Sequence, residues 1–251
     1  MAKSTNGLPR LVIPMDRRRD LFLLYAARAA RNFGDGFAVI VLPAYLEEIG
    51  LGPTEIGAVA AAALLGSALL TLAMGFFAVR LDLRTLLLAG ALLMVATGLA
   101  IPNLVGVVEI AIAVFIGTMN PTTGDVGVLV PIEHAMLARE ASDEERTRVF
   151  ARYSLIGAIA TAAGALAAAT PSALHLAGFG MLPSLGAMFY AYASLGLASA
   201  VFYRFLPSAE PVRQTKARAP LGPSRGVVYK LAALFSLDAF AGGFTVQSLI
   251  A

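Results

Sequence analysis

Cysteine is absent from the 251 residues, which excludes disulfides, thiol nucleophiles and Cys-ligated metal. Histidine occurs only twice, at His134 and His175, so general bases are scarce. No His-Glu-x-x-His, no Gly-x-Ser-x-Gly and no phosphate loop ending in Gly-Lys-Ser/Thr is present. Neither an enzyme nor a nucleotide-driven pump is expected, and no cofactor or metal is called for. Charged residues are also few, at 14%, against about 25% in soluble domains. What remains is 58% hydrophobic, more apolar surface than a soluble core can absorb. The net charge of +3 then reflects membrane topology, and no nucleic-acid partner is expected. A removable signal peptide is not expected either: the apolar stretch behind the basic first nineteen residues holds Arg28, Arg31 and Asp35, with no small-x-small cleavage site after a clean apolar run.

The basic residues have a one-sided distribution. Seven stretches are long and apolar enough to span a bilayer, which takes about 20 residues: roughly 21–46, 54–79, 85–101, 105–138, 149–170, 182–203 and 229–251. All nineteen Lys and Arg precede the first stretch, lie in its opening turns, or follow an even-numbered one. The turns after the first, third and fifth carry none. Cytoplasmic loops keep the excess of basic residues, so a lipid bilayer is the expected surrounding, with a cytoplasmic N-terminus. The expected divisions are a cytoplasmic segment 1–20, a six-helix bundle 21–205, a cytoplasmic linker 206–228 rich in Pro, Arg and Lys, and a seventh helix 229–251. Pro102 and Pro171 follow expected helix ends, and residues 171–181 read as an outer turn.

The fourth stretch is interrupted by Asn120-Pro121-Thr122-Thr123-Gly124-Asp125, which removes a backbone donor and breaks a regular helix. Irregular backbone at membrane depth survives only inside protein or along a wet cavity. Further on, Asp238-Ala239-Phe240-Ala241-Gly242-Gly243-Phe244 echoes Arg31-Asn32-Phe33-Gly34-Asp35-Gly36-Phe37, with Phe33, Gly36 and Phe37 repeated identically. The echo falls after six spans and a basic linker, where a second half would begin, and parallel repeats of six helices are a transporter plan.

Six spans, a basic central linker and a repeat of span one at span seven make the chain similar to the major facilitator superfamily of secondary transporters. The loop between spans two and three of that family usually reads Gly-x-x-x-Asp-Arg-x-Gly-Arg-Arg. Here it is Gly75-Phe76-Phe77-Ala78-Val79-Arg80-Leu81-Asp82-Leu83-Arg84, with Val79 in place of the acid and Asp82 in place of Gly. The resemblance implies an all-α polytopic membrane protein: a six-helix bundle plus a seventh transmembrane helix of a twelve-helix fold. On this reading the chain stops inside helix seven, the C-terminal half is missing, and the fragment alone does not transport. The resemblance also implies gating by the loop of Gly75, Arg80, Asp82 and Arg84, and a cavity lined by spans one, four and seven. Gly157 and Gly164 occur in span five without a Pro between Tyr153 and Thr170, which does not favour a drug antiporter.

Intramembrane charge is concentrated on those same three spans. Spans two, three, five and six have clean interiors, whereas span one holds Arg28, Arg31 and Asp35, span four Asp125 and Glu133, and span seven Asp238. Each costs about 2.5–3.5 kcal/mol to insert and usually faces a water-filled path. Arg28, Arg31, Asn32 and Asp35 recur at i, i+3, i+4 and i+7, one helical face. With the hydrocarbon starting near Ala26, Asp35 is about 13 Å deep. Arg28 is expected to snorkel; Arg31 is expected to pair with Asp35, or across the halves with Asp238. Arg31, Asn32, Asp35, Asn120, Asp125 and Asp238 are therefore the expected pathway residues, with Asp35 and Asp125 the candidates for carrying a proton or cation. Glu133 and His134 are placed near the inner edge, meeting water, Arg139 or the 2–3 loop, so Glu133 and Arg139 join the gating set. His175 is given no role. Tyr190 and Tyr192 are read as packing or solute contacts, and the ladders Ala62/Gly66 and Gly157/Thr161/Ala165 as close helix contacts. The function expected is a secondary transporter of a small solute by alternating access, with a proton as candidate coupling ion, in the plasma (bacterial inner) membrane. A non-transporting membrane scaffold or receptor is the alternative.

Overall fold

The computed structural model describes residues 15–78, 80–119, 127–142 and 144–208, with short helical stretches between 225 and 237. The chain divides into two compact units, Met1–Val212 and Arg213–Ala251. In the second, the Arg225 guanidinium lies 5.4 Å from the Tyr229 ring centroid. Asn120, Asp125 and Asp238 lie outside the described residues, as do Val79, the echo at 238–244 and most of the expected seventh span.

The first unit is built from α1 (Met15–Glu48), α2 (Pro53–Phe77), α3 (Leu83–Ala100), α4 (Val107–Ile116), α5 (Val130–Glu140), α6 (Arg146–Ala167), α7 (Thr170–Leu176) and α8 (Met181–Arg204). The described stretches Pro53–Phe77, Leu83–Asn103, Arg146–Leu176 and Met181–Arg204 are long and apolar enough to cross a membrane. Helix α1 is longer still, at 34 residues, and carries the charged face. The fourth expected span is two short helices, α4 ending at Ile116 and α5 starting at Val130. At about 1.5 Å per residue neither one crosses a bilayer alone.

Local chemistry explains the ends. Gly50, at φ +92°, closes α1: its N–H reaches the Glu47 carbonyl at 2.9 Å and the Leu51 N–H reaches Leu46 at 3.0 Å. Only a residue free of Cβ strain enters that left-handed turn cheaply. Helix α2 opens on Pro53, with Glu55 Oε2 accepting from the Gly52 N–H at 2.9 Å. Residues 171–181, expected as a turn, contain α7 instead. Pro171 lies in its first turn, where the missing N–H is not needed, so this proline begins a helix.

Helix α1 is the central element, packed against α6 and α8, while α3 packs on α8 and α2 on α4. Gly66 lets α2 approach α4 closely: a methyl group there would fall 1.8 Å from the Phe115 carbonyl oxygen. The outer surface is apolar, with Leu65, Leu69, Leu72 and Phe76 of α2 and Leu155 and Ile159 of α6 exposed. Two buried clusters fill the interior, one around Leu24, Leu87, Leu137 and Tyr203, the other around Phe37, Tyr45, Ile110 and Phe189.

The helix ends bearing basic residues are tied together. Arg84 Nη2 donates to the Arg204 carbonyl at 2.6 Å, and Ser208 Oγ to Asp82 Oδ2 at 2.9 Å. Asp82 also caps α3, accepting from the Arg84 N–H at 3.3 Å. Tyr25 of α1 donates to the Val149 carbonyl of α6 at 3.2 Å. At the same end the Glu140 carboxyl is pushed above its ordinary range, first by burial and then by Asp20, against the opposing pull of Arg17 and Arg139.

Candidate functional site

The polar face of α1 turns inward. Arg28, Arg31 and Asn32 are 1%, 5% and 5% exposed, and Asp35 is partly exposed. Each meets a partner from another helix. The Arg31 Nη2 atom forms an ion pair with Glu133 Oε2 of α5, and Arg31 Nε donates to the Tyr203 hydroxyl of α8 at 3.0 Å. Glu133 is fully buried and accepts two more hydrogen bonds, from Tyr153 of α6 on Oε2 and from Tyr203 on Oε1. Three donors from three helices thus converge on one carboxylate, the arrangement that makes a buried ion pair tolerable. Glu133 also lies in the first turn of α5, where the helix dipole favours negative charge.

Beside the pair, Arg28 lies 4.5 Å from the Tyr153 ring centroid, a cation–π distance. Gly157 leaves room for this, since a methyl group there would come within 2.7 Å of Arg28 Nε. Asn32 Nδ2 donates to Thr161 Oγ1 at 3.1 Å and to the Gly157 carbonyl at 3.4 Å. One turn on, Asp35 Oδ1 accepts from the Tyr192 hydroxyl of α8 at 3.1 Å. Arg31 and Asp35 border a small cavity with Gly90 and Met94 of α3 and with Thr118 and Leu129 of the broken fourth span. Its room is on the order of a single water molecule.

Three placements depart from the sequence expectations. Glu133 is not at the inner edge meeting water, Arg139 or the 2–3 loop; it is in the bundle interior, because α5 starts only at Val130 and its first turn lies deep. Arg31 pairs with Glu133 and not with Asp35. Arg28 does not snorkel; it is buried under Tyr153. Among the other expected residues, Gly75, Arg80 and Arg139 are exposed, and Asp82 and Arg84 join the 2–3 loop to the end of α8. His134 packs its ring against Phe150 and Tyr153, with centroids 5.1 and 5.2 Å away. His175 Nδ1 lies 3.0 Å from the Phe179 carbonyl, and Tyr190 is exposed, meeting Asn103 Nδ2 at 3.3 Å.

Sequence reading passed over Tyr153 and Tyr203 as site residues. A signal existed: Tyr192, Gly196, Ser199 and Tyr203 recur at i, i+4, i+7 and i+11 on α8, a polar-edged face that is wholly buried.

The comparisons with known proteins agree with this architecture. A membrane protein of Saccharomyces cerevisiae (strain ATCC 204508 / S288c), named as uncharacterized, is 26% identical over 148 residues. That match takes in 59% of this chain and 33% of the yeast protein, so the chain spans about a third of the length of the curated relative it matches. A family model described as Major Facilitator Superfamily matches residues 24–251. The helical bundle, the apolar exterior and that match together place this chain in the major facilitator superfamily, as an all-α polytopic membrane protein.

Proposed function

We propose that the protein to which these residues belong is a secondary active transporter that moves a small solute by alternating access, with Asp35 taking up and releasing the coupling proton. Asp35 carries the reading. It is an acid in the interior of an apolar bundle, partly exposed on a cavity, held among the described residues by the Tyr192 hydroxyl, and not in the Arg31–Glu133 pair. Ionisable groups are costly in a membrane and mark solute or ion paths by default. A purely structural bundle would carry apolar residues at such positions.

The remaining divisions belong to the same proposal: a six-helix bundle over 21–205, a linker over 206–228 and the first helix of a second bundle from 229. The one-sided basic residues support a cytoplasmic N-terminus, and the plasma (bacterial inner) membrane is the proposed location. Asn120, Asp125 and Asp238 stay in the proposed pathway with Arg31 and Asn32. The 2–3 loop is the proposed gate, since Asp82 and Arg84 bind the end of α8, which must part from them if the basic end opens.

Proteoliposomes of the complete protein, loaded with unlabelled solutes from an anionic, zwitterionic and neutral panel, test this by counterflow. Accumulation of one labelled solute is expected; none across the panel is the result a scaffold gives. With a solute found, Asp35→Asn is expected to keep counterflow but lose the stimulation of uptake by an inward proton gradient. Uptake that keeps its pH dependence in Asp35→Asn removes Asp35 from the coupling step.

A further inference from the structure

Arg31 lies four residues before Asp35 on α1, the spacing at which opposite charges pair along a helix. Without a competitor the guanidinium would turn to Asp35 and hold it as a fixed ion pair. Glu133 is that competitor. Its Oε2 takes Arg31 Nη2, while Tyr203 accepts from Arg31 Nε and donates to Glu133 Oε1. A hydroxyl that accepts and donates in this way cannot rotate without breaking a bond. Tyr153 supplies the second donor to Oε2. Among the described residues, the charged and titratable groups facing Asp35 are Arg28 and Arg31 on its own helix, Glu133 on α5 and Tyr192 on α8. Helix α3 adds only Gly90 and Met94 to the shared cavity, and α6 meets the face through Gly157 and Thr161.

We infer that Glu133 is a positioning residue: braced by Tyr153 and Tyr203, it holds Arg31 away from Asp35 and so keeps Asp35 available for proton exchange. The inference rests on the transporter reading above, with Asp35 as the proton acceptor.

The test needs no knowledge of the solute. In the complete protein in bilayers, the infrared band of a protonated carboxyl is titrated with pH and assigned to Asp35 by its loss in Asp35→Asn. In Glu133→Gln the midpoint is expected to move acidward by at least about one pH unit, a tenfold loss of proton affinity, as Arg31 is released to Asp35. Removing the Glu133 charge would by itself act in that direction. The deciding variant is therefore Tyr153→Phe/Tyr203→Phe, which changes no charge and leaves Glu133 unbraced. It is expected to shift the midpoint the same way by a smaller amount. An unmoved midpoint in the double tyrosine variant, with only its melting temperature lowered, overturns the positioning role and leaves the coupling role of Asp35 standing. A band that never appears, or that survives Asp35→Asn, overturns both.

Discussion

Arg31→Leu is expected to destabilise the bundle by about 3–5 kcal/mol, since it leaves Glu133 a buried charge without its partner, whereas Glu133→Leu is expected to cost less, since Arg31 then turns to Asp35. Both side chains are nearly or wholly inaccessible and lie in contact, so a charge left behind stays buried. Arg31→Leu/Glu133→Leu is expected to recover part of that loss, because no charge remains buried. Recovery stays incomplete for a reason visible in the geometry: Tyr153 and Tyr203 both donate to Glu133, and their hydroxyls lose that acceptor. Each stranded hydroxyl costs about 1–3 kcal/mol. Adding Tyr153→Phe and Tyr203→Phe should therefore restore stability further, an unusual case in which four apolar substitutions harm less than one. Reversible unfolding of the series in detergent measures this directly. An Arg31→Leu variant that loses less than about 1 kcal/mol would show that the pair is solvated, as exposed pairs are.

The same site shows how far the sequence could be read. The inward face of α1 was legible, because Arg28, Arg31, Asn32 and Asp35 fall on one side of a helix by periodicity alone. So was the interruption of the fourth span, since proline and glycine act on the backbone locally. The partners of that face were not legible. Periodicity reports which residues share a side, but not what an opposing helix brings to it. The i to i+4 rule assigned Arg31 to Asp35 because it considers one helix at a time; Glu133 prevails through donors contributed by α6 and α8. Glu133 was misplaced by a different error. Spacing along the fourth stretch counts Glu133 toward its inner end, but α5 starts at Val130 and its first turn meets α1, α6 and α8. Tyr203 sits one residue before the end of α8, where a tyrosine reads as an interfacial anchor. Its spacing from Tyr192, Gly196 and Ser199 was a hint in the sequence that it faces inward.

Helix packing leads to the other large effect, at the contact of α1 with α6. Gly36→Val is expected to destabilise the bundle by at least about 1–3 kcal/mol, the usual cost of overfilling a packed interior. A Cβ on Gly36 would lie 2.2 Å from the Thr161 carbonyl oxygen, and one on Gly164 would lie 2.1 Å from that of Phe33. Both obstacles are backbone, so relief requires the helices to separate and not merely a rotamer change. Within a bilayer, close packing and interhelical hydrogen bonds supply the association that the hydrophobic effect gives soluble helices. Separation here also strains the bonds from Asn32 to Thr161 and Gly157, one turn away. Gly57→Ala on α2 is the matched control, because a Cβ there meets nothing within 4 Å. It is expected to be neutral or to stabilise by up to about 1 kcal/mol through reduced freedom of the unfolded chain. Melting temperatures of Gly36→Val, Gly164→Val and Gly57→Ala in one detergent separate the two cases. If Gly36→Val and Gly57→Ala behave alike, α1 and α6 do not meet backbone to backbone, and the route by which Asn32 is carried to α6 fails with them.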